Sequence, residues 1–171
     1  RETSEQGMTF PKSEYQRFGC SKQAKDILNG LSFEILLVDD EPLILSVLSL
    51  CLKDAGHSVT TALSGQEALD LLHQKPFDLV LTDLNMPGVD GITVLRRTRG
   101  IRPETRGVIM TGSVLSESTR RLIFREADRF LAKPFSLAEL HRTVSSCLNS
   151  EALLAGPSKQ DLSGSLEALP P

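Results

Sequence analysis

Five residues carry groups able to do chemistry together, and each stands just after a short apolar run. Asp39 and Asp40 follow EILLV, Asp83 follows FDLVLT, Thr111 follows GVIM, and Lys133 follows RFLA. Three clustered carboxylates repel one another and need a cation. A hard divalent ion such as Mg2+ takes about six oxygens, some of them from water or phosphate. Asp39 and Asp40 bring charge for such an ion, and the backbone carbonyl of Asn85 can add a neutral ligand. Asp83 is then a carboxylate nucleophile able to form an aspartyl phosphate. Mg2+ and Lys133 would neutralise the phosphoryl oxygens in the transition state, with the Thr111 hydroxyl hydrogen-bonded to one of them. Phosphoryl transfer depends mainly on such positioning and charge stabilisation. Taken singly, these residues say much less. An Asp pair in a loop is most often a solvated turn or cap, a threonine at a strand end reflects β propensity, and Lys133-Pro134 is a turn. Only their joint placement points to shared chemistry.

That placement requires strands ending along one edge, and the pattern supplies them. Glu34–Val38 is a continuous apolar run of the kind buried on both faces of a parallel sheet. A helix follows from Pro42, where proline suits the first turn, to Ala55 before Gly56. Val59–Ala62 reads as a weaker strand. Ser64 and Glu67 form a capping box for the second helix. Phe77–Thr82 is a strand, Ile92–Thr98 a short helix, Gly107–Met110 a strand, Glu117–Arg125 a helix and Arg129–Ala132 a strand. Ser136 and Glu139 cap the last helix in the same way. Strands alternating with helices predict an α/β fold, a five-stranded parallel sheet with five helices on both faces. Ligands of such sheets sit beyond the carboxyl ends of the strands, where the five polar residues lie.

The 171 residues suit one domain with extensions. Residues 1–33 read as an N-terminal extension, partly helical around Ser21–Leu28 or disordered, and residues 149–171 as a linker or disordered tail. A formal charge of −3 sets up no strong field toward nucleic acid or membrane. No apolar run reaches the roughly 18 residues of a spanning helix, and the first residues read without the apolar core of a signal peptide. Cys20, Cys51 and Cys147 make an odd count without metal spacing, and His57, His73 and His141 are scattered. These six read as structural, and the thiols point to a reducing cytoplasm.

In order and spacing, LLVDDEP, LVLTDLNMPGVDG, VIMTG and FLAKPF resemble the receiver domain of bacterial response regulators. The likeness runs from Glu34 to Leu148. It implies the flavodoxin-like strand order 2-1-3-4-5 and Mg2+ held by Asp39, Asp40, Asp83 and the Asn85 carbonyl. It also implies phosphorylation of Asp83 by a sensor histidine kinase or histidine phosphotransferase, and a cis bond between Lys133 and Pro134. Thr111 and Phe130 would be the switch residues, moving the surface of the fourth helix, fifth strand and fifth helix toward a downstream protein partner. Dimerisation is compatible with this reading. Such a domain catalyses only its own phosphorylation and dephosphorylation.

Two competing readings use the same fold. A phosphatase working through an aspartyl phosphate needs an acid two positions after the nucleophile, where Asn85 stands. A phosphorylation-independent interaction module would not need the complete acceptor set. No DNA-reading segment follows Leu148 in this chain. The chain departs from the family in two places. Arg125-Glu126-Ala127-Asp128-Arg129 lacks the usual glycine, so the fourth helix is expected to end differently, and Phe130 replaces a common tyrosine. The helix after Pro42 is apolar over a wide arc, with Leu45 and Leu52 at its edge. Either the N-terminal extension, through Phe10 or Phe18, or a donor helical bundle is expected to cover them. Arg120, Arg121, Arg125 and Arg129 form a basic group, a solvated face or a site for an acidic partner.

Overall fold

The computed structural model describes residues 32–148 apart from residue 113. The expected helix around Ser21–Leu28 and the tail lie outside the described residues. In chain order the elements are β1 (Glu34–Val38), α1 (Pro42–Asp54), β2 (Ser58–Ala62), α2 (Gly65–Gln74) and β3 (Leu79–Asp83). Then come α3 (Gly91–Ile101), β4 (Arg106–Thr111), α4 (Glu117–Glu126), β5 (Arg129–Ala132) and α5 (Leu137–Leu148). All strand pairs are parallel, in the order β2-β1-β3-β4-β5.

The two-residue period of the strands divides the core in two. Leu36, Val38, Val80 and Ile109 face one side and pack against α2, α3 and α4 through Leu69, Leu72, Leu95 and Ile123. Ile35, Leu37, Leu79, Leu81, Val108 and Met110 face the other side and pack against α1 and α5 through Leu48, Leu52, Leu140 and Val144. Each such side chain contributes roughly 1.5–3 kcal/mol when fully buried. The sheet is therefore gripped on both faces, and its carboxyl edge is a fixed platform for whatever follows the strands.

Caps end the helices where the sequence placed them. Pro42 opens α1 with no side-chain cap. The Ser64 hydroxyl accepts from the Glu67 amide at 3.2 Å, and the Glu67 carboxylate takes the Leu63 amide at 2.7 Å, one residue earlier than a full capping box. Ser136 and Glu139 complete theirs, at 3.2 and 2.7 Å. Gly56, at φ +100, turns the chain out of α1, and Gly88, at φ +79, turns it between β3 and α3.

Several expectations are corrected. β3 begins at Leu79 rather than Phe77, because Phe77 is buried among α2 and α3 residues and Asp78 instead accepts the Glu34 amide at 2.7 Å. α3 runs on to Ile101, past Thr98, whose hydroxyl bonds back to the Val94 carbonyl at 2.9 Å. α4 ends without a left-handed residue. Ala127 is extended (φ −106, ψ 144) with its amide on the Ile123 carbonyl, and Asp128 exchanges two bonds with Gly107, its amide donating at 2.8 Å and its carboxylate accepting at 2.7 Å. Asp128 thus fixes the turn into β5 without a glycine. On α1, Leu45 and Leu52 are 5% and 0% exposed, so the domain itself buries them. The uncovered apolar stripe is Leu43, Val47 and Leu50, at 77%, 53% and 41% exposure.

Candidate functional site

Strand register brings the chemistry together. Val38 pairs with Thr82, so Asp39 and Asp83 emerge side by side from β1 and β3. Asp83 pairs with Met110, which leaves Thr111 one residue further along β4, paired with Ala132. Lys133 is the next residue after β5, and its amide donates to the Thr111 carbonyl at 2.8 Å. Lys133-Pro134 is a cis peptide.

The Lys133 ammonium donates to Asp83 Oδ1 at 2.6 Å and to Asp39 Oδ2 at 2.9 Å. The remaining oxygens are held by backbone amides: Asn85 N donates to Asp83 Oδ2 at 2.7 Å, and Glu41 N donates to Asp39 Oδ1 at 3.0 Å. Asp39 is fully buried and Asp83 nearly so. Burial alone would push the Lys133 pKa down, but hydrogen bonds and charge from Asp83 and Asp39 outweigh it, and the net shift is upward. The lysine is firmly a cation. Asp40 is exposed, and Thr111 is buried at the end of β4. Phe130 is also buried, in the cluster that lies under α3 and α4.

The donor chemistry fits a divalent cation. Asp39, Asp40 and Asp83 set three carboxylates against the single Lys133 ammonium, an excess that a 2+ ion cancels. Among the described residues no three His, Cys, Asp or Glu side chains form a metal cage by themselves. A hard ion such as Mg2+ would therefore need water or phosphate oxygens for its remaining positions. The three histidines, Cys51 and Cys147 stay outside the site: both cysteines are buried, with burial pushing the Cys147 thiol up to about 12, and Cys20 lies outside the described residues.

Two supports were not read from the sequence. A Cβ on Gly91 would overlap the Asp83 carbonyl, and one on Gly65 would overlap the Val89 carbonyl. These glycines let α3 and α2 press against the loop that follows Asp83. Both sit beside a cap residue, a local signal that gives no hint of the close approach.

Residues 35–145 match the model of the response regulator receiver domain, and the chain belongs to that family, the receiver module of two-component signalling. It is 32% identical over 136 residues to the transcriptional regulatory protein TrcR of Mycobacterium tuberculosis, covering 78% of this chain and 52% of that protein. Against the sensor histidine kinase RcsC of Escherichia coli it is 34% identical over 110 residues, 64% of this chain and 12% of the kinase. The chain thus spans about half or less of these relatives. A solved CheY-like receiver domain from Methanospirillum hungatei matches with TM-score 0.66 at 27% identity, covering 72% of this chain and 98% of that one. TrrA of Thermotoga maritima, solved in complex with Mg2+ and BeF, matches with TM-score 0.61 at 33% identity, over 67% and 98%. No helix among the described residues is long and apolar enough to cross a membrane.

Proposed function

We propose that the domain accepts a phosphoryl group on Asp83 from a phosphohistidine of a sensor kinase or histidine phosphotransferase, in a Mg2+-dependent reaction. The supporting observation is the Lys133 ammonium, 2.6 Å from Asp83 and 2.9 Å from Asp39. An Asp83 oxygen bonds to phosphorus as the phosphorus–nitrogen bond of the donor breaks, and the imidazole leaves with that electron pair. Asp39, Asp40, Asp83 and the Asn85 carbonyl would hold Mg2+, which would supply charge to balance the phosphoryl oxygens. Lys133 offers its ammonium to the same oxygens, and the Thr111 hydroxyl donates to one of them. Water later cleaves the acyl phosphate and restores Asp83. The domain catalyses only these two steps on itself, in the cytoplasm.

The donor meets the outer face of α1, where Leu43, Val47 and Leu50 form an exposed stripe at helical spacing. Thr111 and Phe130 then bias the surface of α4, β5 and α5 toward a downstream protein. With acetyl phosphate and Mg2+, the chain gains one acid-stable, hydroxylamine-labile phosphoryl group. Asp83→Asn abolishes it, Asp40→Ala impairs it, and Asp54→Asn leaves it unchanged. Val47→Asp slows transfer from a phosphohistidine donor without changing labelling by acetyl phosphate. Undiminished labelling of the Asp83→Asn protein would falsify the assignment.

A further inference from the structure

Residues 96–129 contain nine arginines and no lysine, against four carboxylates, whereas residues 34–95 contain ten carboxylates and only two lysines. The sheet order places these stretches toward opposite edges, so a chain of small net charge is strongly polarised. At the seam between α3 and α4 the arginines converge. Arg96 Nε from α3 lies 3.4 Å from Glu126 Oε1, and Arg125 Nε from α4 lies 2.9 Å from the same oxygen. Arg99 Nη1 donates to the Arg125 carbonyl at 3.0 Å, bringing a third guanidinium to the same place. Arg121 stands one turn earlier on α4, paired with Glu117.

Glu126 is the central carboxylate and is nearly buried, its side chain 9% exposed. Burial opposes its ionisation, but hydrogen bonds from Arg125 and Arg96 outweigh burial and hold the carboxyl below its usual range. One carboxylate thus anchors two guanidinium groups and leaves a third near it without a carboxylate of its own among the described residues. Arg96 and Arg125 engage Glu126 through Nε while their side chains stay 51% and 66% exposed, so the outer edges of both forks face solvent. A planar fork matches a carboxylate in a way that a lysine ammonium does not.

We propose that the α3–α4 seam, centred on Arg96, Arg99 and Arg125, is a docking site for an acidic, carboxylate-rich protein segment. Nucleic acid fits less well. Strong binding to a phosphate backbone typically uses about 6–10 phosphate contacts along a track. Here the exposed guanidiniums form a compact group, and the stretch before it, residues 34–95, is strongly acidic. Binding to single strands also draws on exposed aromatic platforms. No large exposed aromatic side chain occurs among the described residues. A short acidic segment needs only a few paired forks and meets no such repulsion. The site is independent of the Asp83 chemistry.

The test is fluorescence anisotropy of the full chain with a short labelled peptide of alternating Glu and Ser. Binding is expected to weaken several-fold as ionic strength rises from about 0.05 M to about 0.3 M. Arg99→Gln/Arg121→Gln, which leaves both Glu126 pairs in place, is expected to weaken it about tenfold. Glu126→Gln removes the internal competitor and is expected to tighten it about threefold. Labelling by acetyl phosphate should be unchanged in all three proteins, which checks their folding. Equal peptide binding by the wild type and the double variant, no tightening by Glu126→Gln, or tighter binding of an oligonucleotide of matched charge would each overturn the proposal.

Discussion

The carboxyl edge of the sheet and the α3–α4 seam are built on the same plan with the charges exchanged. At the edge, one ammonium, Lys133, is held between the carboxylates of Asp83 and Asp39. At the seam, one carboxylate, Glu126, is held between the guanidiniums of Arg96 and Arg125. In both, a lone minority charge fixes the majority in position, and the uncancelled excess sets the charge of the ligand each region could take, cationic at the edge and anionic at the seam. The difference lies in burial. Asp39 and Asp83 are nearly sealed and tied by backbone amides, while Arg96 and Arg125 keep half or more of their side chains in water. The edge is rigid enough for chemistry, whereas the seam can only bind.

Removing the minority charge at the edge should have the largest effect. Lys133→Met leaves two buried carboxylates facing each other, and losing one partner of a buried pair costs about 3 kcal/mol. Urea denaturation without divalent ions should show that loss, and millimolar Mg2+ should recover part of it. Labelling by acetyl phosphate should fall by about 100-fold, as for loss of one transition-state donor. Full labelling of this variant would mean that Lys133 is merely a structural counter-ion.

Next in size is Gly91→Ala. The new methyl group meets the Asp83 backbone, with the carbonyl carbon 3.0 Å away and Leu84 Cα at 3.2 Å. Overpacking of this kind costs about 1–3 kcal/mol. Because the strain falls on the acceptor residue, labelling should drop along with stability. Gly100→Ala, where the added Cβ meets nothing, provides the contrast and should label normally. A Gly91→Ala protein as stable and active as wild type would show that the loop is looser than its packing indicates.

Glu126→Gln should cost less, about 1 kcal/mol, since its arginine partners are largely solvated. Chemical denaturation in low and high salt measures it: the gap between wild type and variant should narrow as salt rises. A loss as large and as salt-independent as that of Lys133→Met would make the seam a second buried pair, no different in kind from the edge.

How legible each region is from sequence follows from the same contrast. The edge could be read because each reactive residue interrupts or ends an apolar strand, so Asp39, Asp83, Thr111 and Lys133 stand out within their own segments. Strand order could not be read that way; it came with the family resemblance, because local periodicity does not say which strands neighbour each other. The seam was only half visible. Arg125 was grouped with Arg120, Arg121 and Arg129, but Arg96 and Arg99 lie on another helix, and nothing local marks Glu126 as their shared partner. The run RRTRGIR was the available hint. On α1 the sequence pattern shows the wide apolar arc but not which part of it is buried. Which side faces the sheet depends on helix tilt, and Leu45 and Leu52 turned inward while Leu43 and Val47 did not.

A third site supplies the case with no counter-charge at all, and its effect should be the smallest. His57 is 5% exposed, its ring lies 5.8 Å from that of Phe33, and neither ring nitrogen has a hydrogen-bond partner among the described residues. Burial lowers its pKa, and the nearby His141 of α5 lowers it further. His141 is itself lowered by burial, partly offset by Asp54 at the end of α1. With folded pKa values below the unfolded one, the native state binds fewer protons. Stability from these groups is therefore complete above about pH 6.5, the unfolded histidine value, and declines as pH falls below it. One such proton sets a slope of at most about 1.4 kcal/mol per pH unit. Urea midpoints between pH 7.5 and 5 should fall for the wild type and fall less steeply for His57→Met, which keeps an apolar side chain at the site. Parallel slopes for the two proteins would assign the acid sensitivity to His141, and would mean that His57 takes up its proton equally in the folded and unfolded states.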